Sequence, residues 1–311
     1  MFADCNGRRV FFDVDSPHLG WERGTGLRPV IVVLAGGPGF SHLYVRPWLS
    51  GLRERYCVVY IDLGGAGRSD RMVQESYPIS MFLDEIEAVR QTLGIGSWAV
   101  LGHSFGASLA LEYALAHPER VTAVIAANGV HSVDFMRDAG MDVLKGLPAG
   151  TAAAIRDFAE RQAAAARSGD RRQWADLDRD PMWDSLNGGA FVGPVPPLWR
   201  QVAPLADVNA ACHYRVVGGA MFDGETTDLD GWELLSRLPA LSGVPCLFIT
   251  SVRDSGPPAE HTFRMAAAVT GSSVVSMDHT GHFTMVEDPD TFTAAVTDFL
   301  VAAGQEAGPG A

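Results

Sequence analysis

Apolar residues along this chain fall into short unbroken runs, separated by stretches with helical spacing. The early runs are RRVFFDV (8–14), VIVVLA (30–35), CVVYID (57–62), WAVLG (98–102) and TAVIAA (122–127). Rich in β-branched residues and bounded by turn formers, they predict strands, several of them covered on both faces. Between them, 80–93 and 105–117 carry apolar positions at helical spacing. The second stops at His117-Pro118, because proline cannot continue a helix. The rhythm returns with VPCLFIT (244–250), a helix over 258–269, SVVSM (273–277) and a helix over 289–302. Such alternation predicts an α/β protein with a mostly parallel, doubly wound sheet.

Residues 134–240 break the pattern. They hold the Ala-rich GTAAAIRDFAERQAAAARSGDRR, then a Trp- and Pro-containing stretch, and no run that reads as a buried strand. Because strands resume afterwards, this segment is expected to be a helical insertion over the sheet rather than an independent domain. Residues 1–133 and 241–303 then form the core, 134–240 a cap, and 304–311 a frayed tail.

Composition narrows the function. With 47% hydrophobic residues among 311, the chain can bury a large core. Net charge is −13 and no basic block occurs, which argues against nucleic acid as a partner. No apolar run approaches the ~18 residues of a membrane span, and no apolar signal core follows a basic start. Cys5, Cys57, Cys212 and Cys246 show no CxxC or metal-ligand spacing, and Cys57 and Cys246 read as small core residues. The expectation is a soluble cytoplasmic protein with no metal or cofactor, acting on a small molecule.

Chemistry enters at Gly102-His103-Ser104-Phe105-Gly106, a G-x-S-x-G between the strand WAVLG and the helix ASLALEYALAH. A turn that sharp needs small flanking residues. It exposes Ser104 beside the Phe105 amide and the helix N-terminus. The plainer alternative is a glycine-rich turn whose serine caps the helix. Acyl transfer to a serine builds an oxyanion that needs two aimed donors. Phe105 N–H would be one. The AGGPG after VIVVLA would supply the other, with Gly36 preferred and Gly37 second.

A serine nucleophile needs a histidine base and a carboxylate. His282, after Gly281 and before the last helix, is preferred over His279. His103 flanks the serine but should point away from its exposed face. Asp254, just past 244–250, is preferred as the acid over Asp278, while Asn128 and Asp134 occupy another strand end from which an acid can come. Asp62 reads as an anchor for its own turn.

These motifs resemble the α/β-hydrolase superfamily, and within it the proline iminopeptidase-like group (peptidase family S33). That group carries HGGPG, then DQRG-x-GRS, then an elbow near GGSWG. Here they read AGGPG, DLGGAGRS (62–69) and GHSFG, and CHYRVVGG (212–219) is similar to the group's ENHYF…GG segment. The resemblance implies an α/β-hydrolase fold with its cap inserted after the sixth strand, and a Ser104–His282–Asp254 triad. The group's leading histidine is Ala35 here, and its DQRG glutamine and arginine are Leu63 and Gly64. Iminopeptidases bind the substrate's free amine with two cap glutamates. One position falls on Ala211 and the other on Asp184, in MWDS, with Glu225 a further possible contributor. Both acids could equally be solvated cap charges. A buried ammonium lacking an ionic partner is costly, so amine recognition should be altered. Trp183, Met221 and Phe222 are expected to line the substrate pocket. An aminopeptidase, an acyltransferase or thioesterase, and a non-catalytic ligand-binding protein on the same fold are the rival readings.

Overall fold

The computed structural model describes residues 1–16, 28–70, 77–135, 145, 148–168, 229–254 and 256–305. Eight strands are present among them: β1 (Phe2–Cys5), β2 (Arg8–Asp15), β3 (Val30–Leu34), β4 (Cys57–Asp62), β5 (Trp98–His103), β6 (Val121–Ala127), β7 (Cys246–Thr250) and β8 (Ser273–Ser276). They form one sheet in the order β1-β2-β4-β3-β5-β6-β7-β8. The pairs β1–β2 and β2–β4 are antiparallel and all others parallel. The helices are α1 (Ile79–Leu93), α2 (Phe105–Ala116), α3 (Ala149–Ser168), α4 (Ala259–Ala268), α5 (Thr284–Glu287) and α6 (Pro289–Ala302).

The unbroken apolar runs have a direct packing cause. Along β3, Val30, Val32 and Leu34 face one core layer, while Ile31 and Val33 face the other. The first layer is closed by α1, α2 and α4 through residues such as Phe82, Ile86, Leu109 and Met265. The second is closed by α6 through Phe292, Val296 and Leu300. A strand covered on both faces cannot alternate with polar residues.

Strand β1 lies outside the expected set. Its sequence, FADC, is short, yet Ala3 and Cys5 alternate inward, and Asn6-Gly7 turns the chain back with φ of 54° and 80°. Positive φ at both loop residues matches the twist of a two-residue hairpin.

Register decides where function can sit. Leu34 pairs with Gly102, His103 with Ala127, and Ala127 with Ile249, so β3, β5, β6 and β7 end along one edge. Strand order reverses between β3 and β5. Open α/β sheets place ligands in the crevice at such a reversal. Within the expected cap, α3 is helical, and Ser132 bridges Glu233, so the chain leaves and rejoins the core at one place. Trp183, Asp184, Ala211, Cys212, Met221, Phe222 and Glu225 lie outside the described residues, as do 306–311.

Candidate active site

Ser104 stands between β5 and α2 with φ 56° and ψ −122°, outside the regions an L-residue favours. Strain of this kind costs about 1–3 kcal/mol and persists only where the surroundings impose it. Here they do. A Cβ on Gly102 would lie 2.0 Å from Gly106 O, and one on Gly106 would lie 2.3 Å from Leu34 O. Backbone meets backbone on both sides of the serine. Ser104 N–H donates to Ala127 O at 2.8 Å, and Ser104 O opens the helix by accepting from Ala107 N–H at 2.9 Å. The serine remains partly exposed.

At the end of β7, Asp254 is fully buried at its side chain and gathers three donors. His282 Nδ1 is 3.0 Å from Oδ2, Asn128 Nδ2 donates to Oδ2 at 2.8 Å, and Gly256 N–H donates to Oδ1 at 2.7 Å. A carboxylate accepting several bonds is fixed in position. Asn128, at φ 51°, is held in turn by Thr284 Oγ1, which donates to Asn128 Oδ1 at 2.9 Å. A side chain at Gly256 would press on the pair, since its Cβ would be 3.0 Å from His282 Nδ1 and 3.1 Å from Asp254 Oδ1. With Nδ1 turned to Asp254, the imidazole presents Nε2 away from it. His103, the residue before the serine, has its ring centroid 4.8 Å from that of His282. The other two named residues are engaged elsewhere. His279 pairs with Asp288 at 2.6 Å, and Asp278 accepts from Ser276 Oγ.

The loop after β3 lies against the elbow, with a Gly36 Cβ position 3.0 Å from Ser104 Cβ. One expectation is corrected here. Gly36 N–H donates to Tyr44 Oη at 2.7 Å, so it is not available to an oxyanion. The next amide along the loop is that of Gly37, held second on sequence grounds. Gly37 has φ 125°, and a Cβ there would lie 2.6 Å from Gly39 N, so only glycine fits. No acceptor takes its N–H among the described residues. Phe105 directly follows Ser104 as the first residue of α2.

Residues 29–289 match the family profile described as "alpha/beta hydrolase fold". The chain belongs to that family. It is 28% identical over 294 residues to a proline iminopeptidase of Chitinophaga pinensis, covering 90% of this chain and 93% of that one. A proline iminopeptidase of Heyndrickxia coagulans is 26% identical over 302 residues, covering 96% and 97%. The crystal structure of a proline iminopeptidase from Mycobacterium smegmatis superposes with a TM-score of 0.73 at 23% identity, over 97% of this chain and 98% of that one.

In this α/β-hydrolase the DLGGAGRS loop is built around Asp62. Its fully buried carboxylate accepts from His42 Nδ1 and His42 N–H, each at 2.8 Å, and from Arg68 N–H at 3.0 Å. Burial alone would raise its pKa, but the bonds from His42 outweigh burial and hold it below the ordinary value. Gly64 N–H donates to Glu85 Oε2 at 2.7 Å from beneath the loop, where the related motif has an arginine. Among the described residues no group of three or more His, Cys, Asp or Glu side chains could hold a metal. Sequence reasoning missed Tyr44 and Thr284 altogether. Neither lies in a motif, and both act on the site through long-range bonds.

Proposed function

We propose that this α/β-hydrolase is a serine hydrolase that cleaves a small to medium ester or amide through an acyl-enzyme. The observation that carries the reading is the Asp254–His282 bond of 3.0 Å together with a strained, partly exposed Ser104 at the β5–α2 turn. His282 Nε2 takes the Ser104 hydroxyl proton while Oγ bonds to the substrate's carbonyl carbon. Gly37 and Phe105 amides hold the resulting oxyanion. Collapse breaks the bond to the leaving group, which receives the proton from His282. Water, deprotonated by the same imidazole, then releases the acid and regenerates Ser104. Asp254 keeps the imidazole in one tautomer and balances its transient positive charge.

The relatives' names favour an N-terminal aminopeptidase, while the chain's own residues favour a neutral substrate. Ala211 replaces one of the two glutamates of the iminopeptidase pattern, and Asp184 is the shortened counterpart of the other. We read residues 134–240 as a cap over Ser104, with Trp183, Met221 and Phe222 lining an apolar pocket. An ammonium there would lack half of its compensation.

The test is intact-mass labelling with a serine-reactive fluorophosphonate, followed by paired kinetics. One adduct on the wild type and none on Ser104→Ala is expected, with kcat falling roughly 10⁴- to 10⁶-fold in the variant. A neutral acyl ester should exceed its α-amino counterpart in kcat/KM by at least ~10-fold. Labelling that survives Ser104→Ala would overturn the mechanism. Preference for the amine, lost in Asp184→Asn, would make the protein an aminopeptidase with a one-carboxylate amine site.

A further inference from the structure

Two buried side chains link the oxyanion loop to the histidine base. Tyr44 and His103 are each 1% exposed. Gly36 N–H donates to Tyr44 Oη at 2.7 Å. Tyr44 Oη lies 2.7 Å from His103 Nδ1, and His103 Nε2 lies 2.9 Å from the main-chain oxygen of His282.

The proton positions follow from the partners. A carbonyl oxygen only accepts, so His103 Nε2 carries the hydrogen. Burial, followed by the nearby His282, pushes the His103 pKa from 6.5 down to about 3, so the ring is neutral and its Nδ1 is a bare acceptor. Tyr44 therefore donates its single hydrogen to Nδ1, and a hydroxyl lone pair receives Gly36 N–H. Burial also raises the Tyr44 pKa, which keeps that hydrogen in place. Phe283 walls the chain, its ring centroid 5.4 Å from His103 and 6.1 Å from Tyr44.

We infer that Tyr44 and His103 are positioning residues, which hold the Gly37 amide and the His282 imidazole in register with each other across Ser104. Neither reaches the reacting atoms. Tyr44 fixes the residue before the oxyanion donor, and His103 fixes the backbone that carries the base. The inference rests on the serine-hydrolase reading above. Misplacement by even about 1 Å can cost on the order of 100-fold in rate, so two loops that must act together benefit from a rigid strut. The strut also explains why a histidine occupies the position before the serine while taking no proton from it.

Four variants separate the two ends. Tyr44→Phe removes the hydroxyl and keeps the ring. His103→Gln can still donate to His282 O but offers Tyr44 no acceptor at Nδ1. His103→Asn can still accept from Tyr44 but does not reach His282 O. The fourth is the Tyr44→Phe/His103→Gln pair.

Each is assayed with a neutral activated ester, after fluorophosphonate labelling has established active Ser104 in the wild type. Tyr44→Phe and His103→Gln should each lower kcat by roughly 10- to 100-fold with KM within about twofold, because the oxyanion donor contributes only in the transition state. Their double variant should be no worse than about twofold below the poorer single, since both cut one link. His103→Asn should instead move the acid limb of kcat/KM, which reports the base, while the other two singles leave it in place. Wild-type kcat in Tyr44→Phe, multiplicative losses in the double variant, or an unmoved acid limb in His103→Asn would each overturn the strut. If Tyr44→Phe does not fold, His103→Gln carries the same kcat test. Absence of a Ser104 adduct in the wild type would instead overturn the serine-hydrolase reading on which the strut depends.

Discussion

Gly106 and Gly94 are glycines for different reasons, and substituting each separates the causes. A Cβ at Gly106 would meet Leu34 O at 2.3 Å and Ala35 O at 2.5 Å, both main-chain atoms that no rotamer change can move. At Gly94 nothing lies within 4 Å, and only the left-handed φ of 68° asks for glycine. Gly94→Ala should therefore cost about 1–2 kcal/mol, the ordinary left-handed penalty. Gly106→Ala must push α2 away from β3 and should cost at least about 3 kcal/mol, as severe overpacking does. Urea midpoints of the two proteins compare them directly, and equal midpoints would contradict the steric account of the elbow. Constraints of this local kind were legible: G-x-S-x-G records the curvature of one turn. The engagement of the Gly36 amide in AGGPG was not, because it depends on a hydroxyl eight residues on and a histidine 59 residues beyond that. Asn128 was read only as a strand-end position where an acid can sit. Its place as a donor to Asp254 depends on a contact 126 residues away.

Strands and helices were legible where both faces are buried, since β3, β4 and β6 leave unbroken apolar runs. The end helix was equally plain: α6 begins at Pro289, and Asp288 caps it by accepting Thr291 N–H at 3.1 Å. The hairpin signal Asn6-Gly7 was present but passed over, because β1 has four residues and one solvated face. A less visible contact ties the segment 229–241 to α2. Glu112 on α2 is 7% exposed at its side chain and accepts from Trp232 Nε1 and Arg237 Nη1, each at 2.7 Å. Beside it, Leu234 and Leu238 pack in the same core layer as Leu109, Leu111 and Tyr113 of α2. Glu112→Ala strands the indole N–H, while the half-exposed Arg237 can turn to water. The cost should be about 1–3 kcal/mol, that of one buried unsatisfied group, and cleavage near 229–241 should quicken in limited proteolysis. Glu112→Gln retains an acceptor for Trp232 and should lose less than half as much. Equal losses in the two variants would mean that the charge, and not the indole bond, makes the clamp.

Stability of the whole molecule should peak near pH 6.5, and the reason is a competition among buried groups. Burial is the leading cause in each case. It pushes His103 and His261 from 6.5 down to about 3. It pushes Glu85 up from 4.5 to about 7, against the Gly64 N–H bond and Arg8 at 3.6 Å. The two histidines have depressed native pKa values, so their contribution is complete above 6.5 and is lost as pH falls towards 3. Glu85 has a raised native pKa, so its contribution is complete below 4.5 and is lost as pH rises through 7. Between 4.5 and 6.5 the unfolded chain therefore binds two protons that the native state does not, and the native state binds one that the unfolded chain does not. The net of one proton makes stability rise by about 1.4 kcal/mol per pH unit over that window. Burial also lowers His131, which adds to the same slope. Above 6.5 only Glu85 remains of these, and stability falls slightly until it is ionised. Below 4.5 the lowered carboxylates add to the histidines: Asp62, and Glu87, which its bond from Arg90 holds at about 2. Urea midpoints measured from pH 4 to 8 at fixed salt should trace this dome. Glu85→Gln should abolish the decline above 6.5 and steepen the rise below it to about two protons. His261→Asn, which can keep an acceptor for His131 N–H, should cut the rise by about one proton. A wild-type profile that climbs steadily from pH 6.5 to 8 would show that Glu85 is ionised in the native state, with Arg8 closing on it as an ion pair.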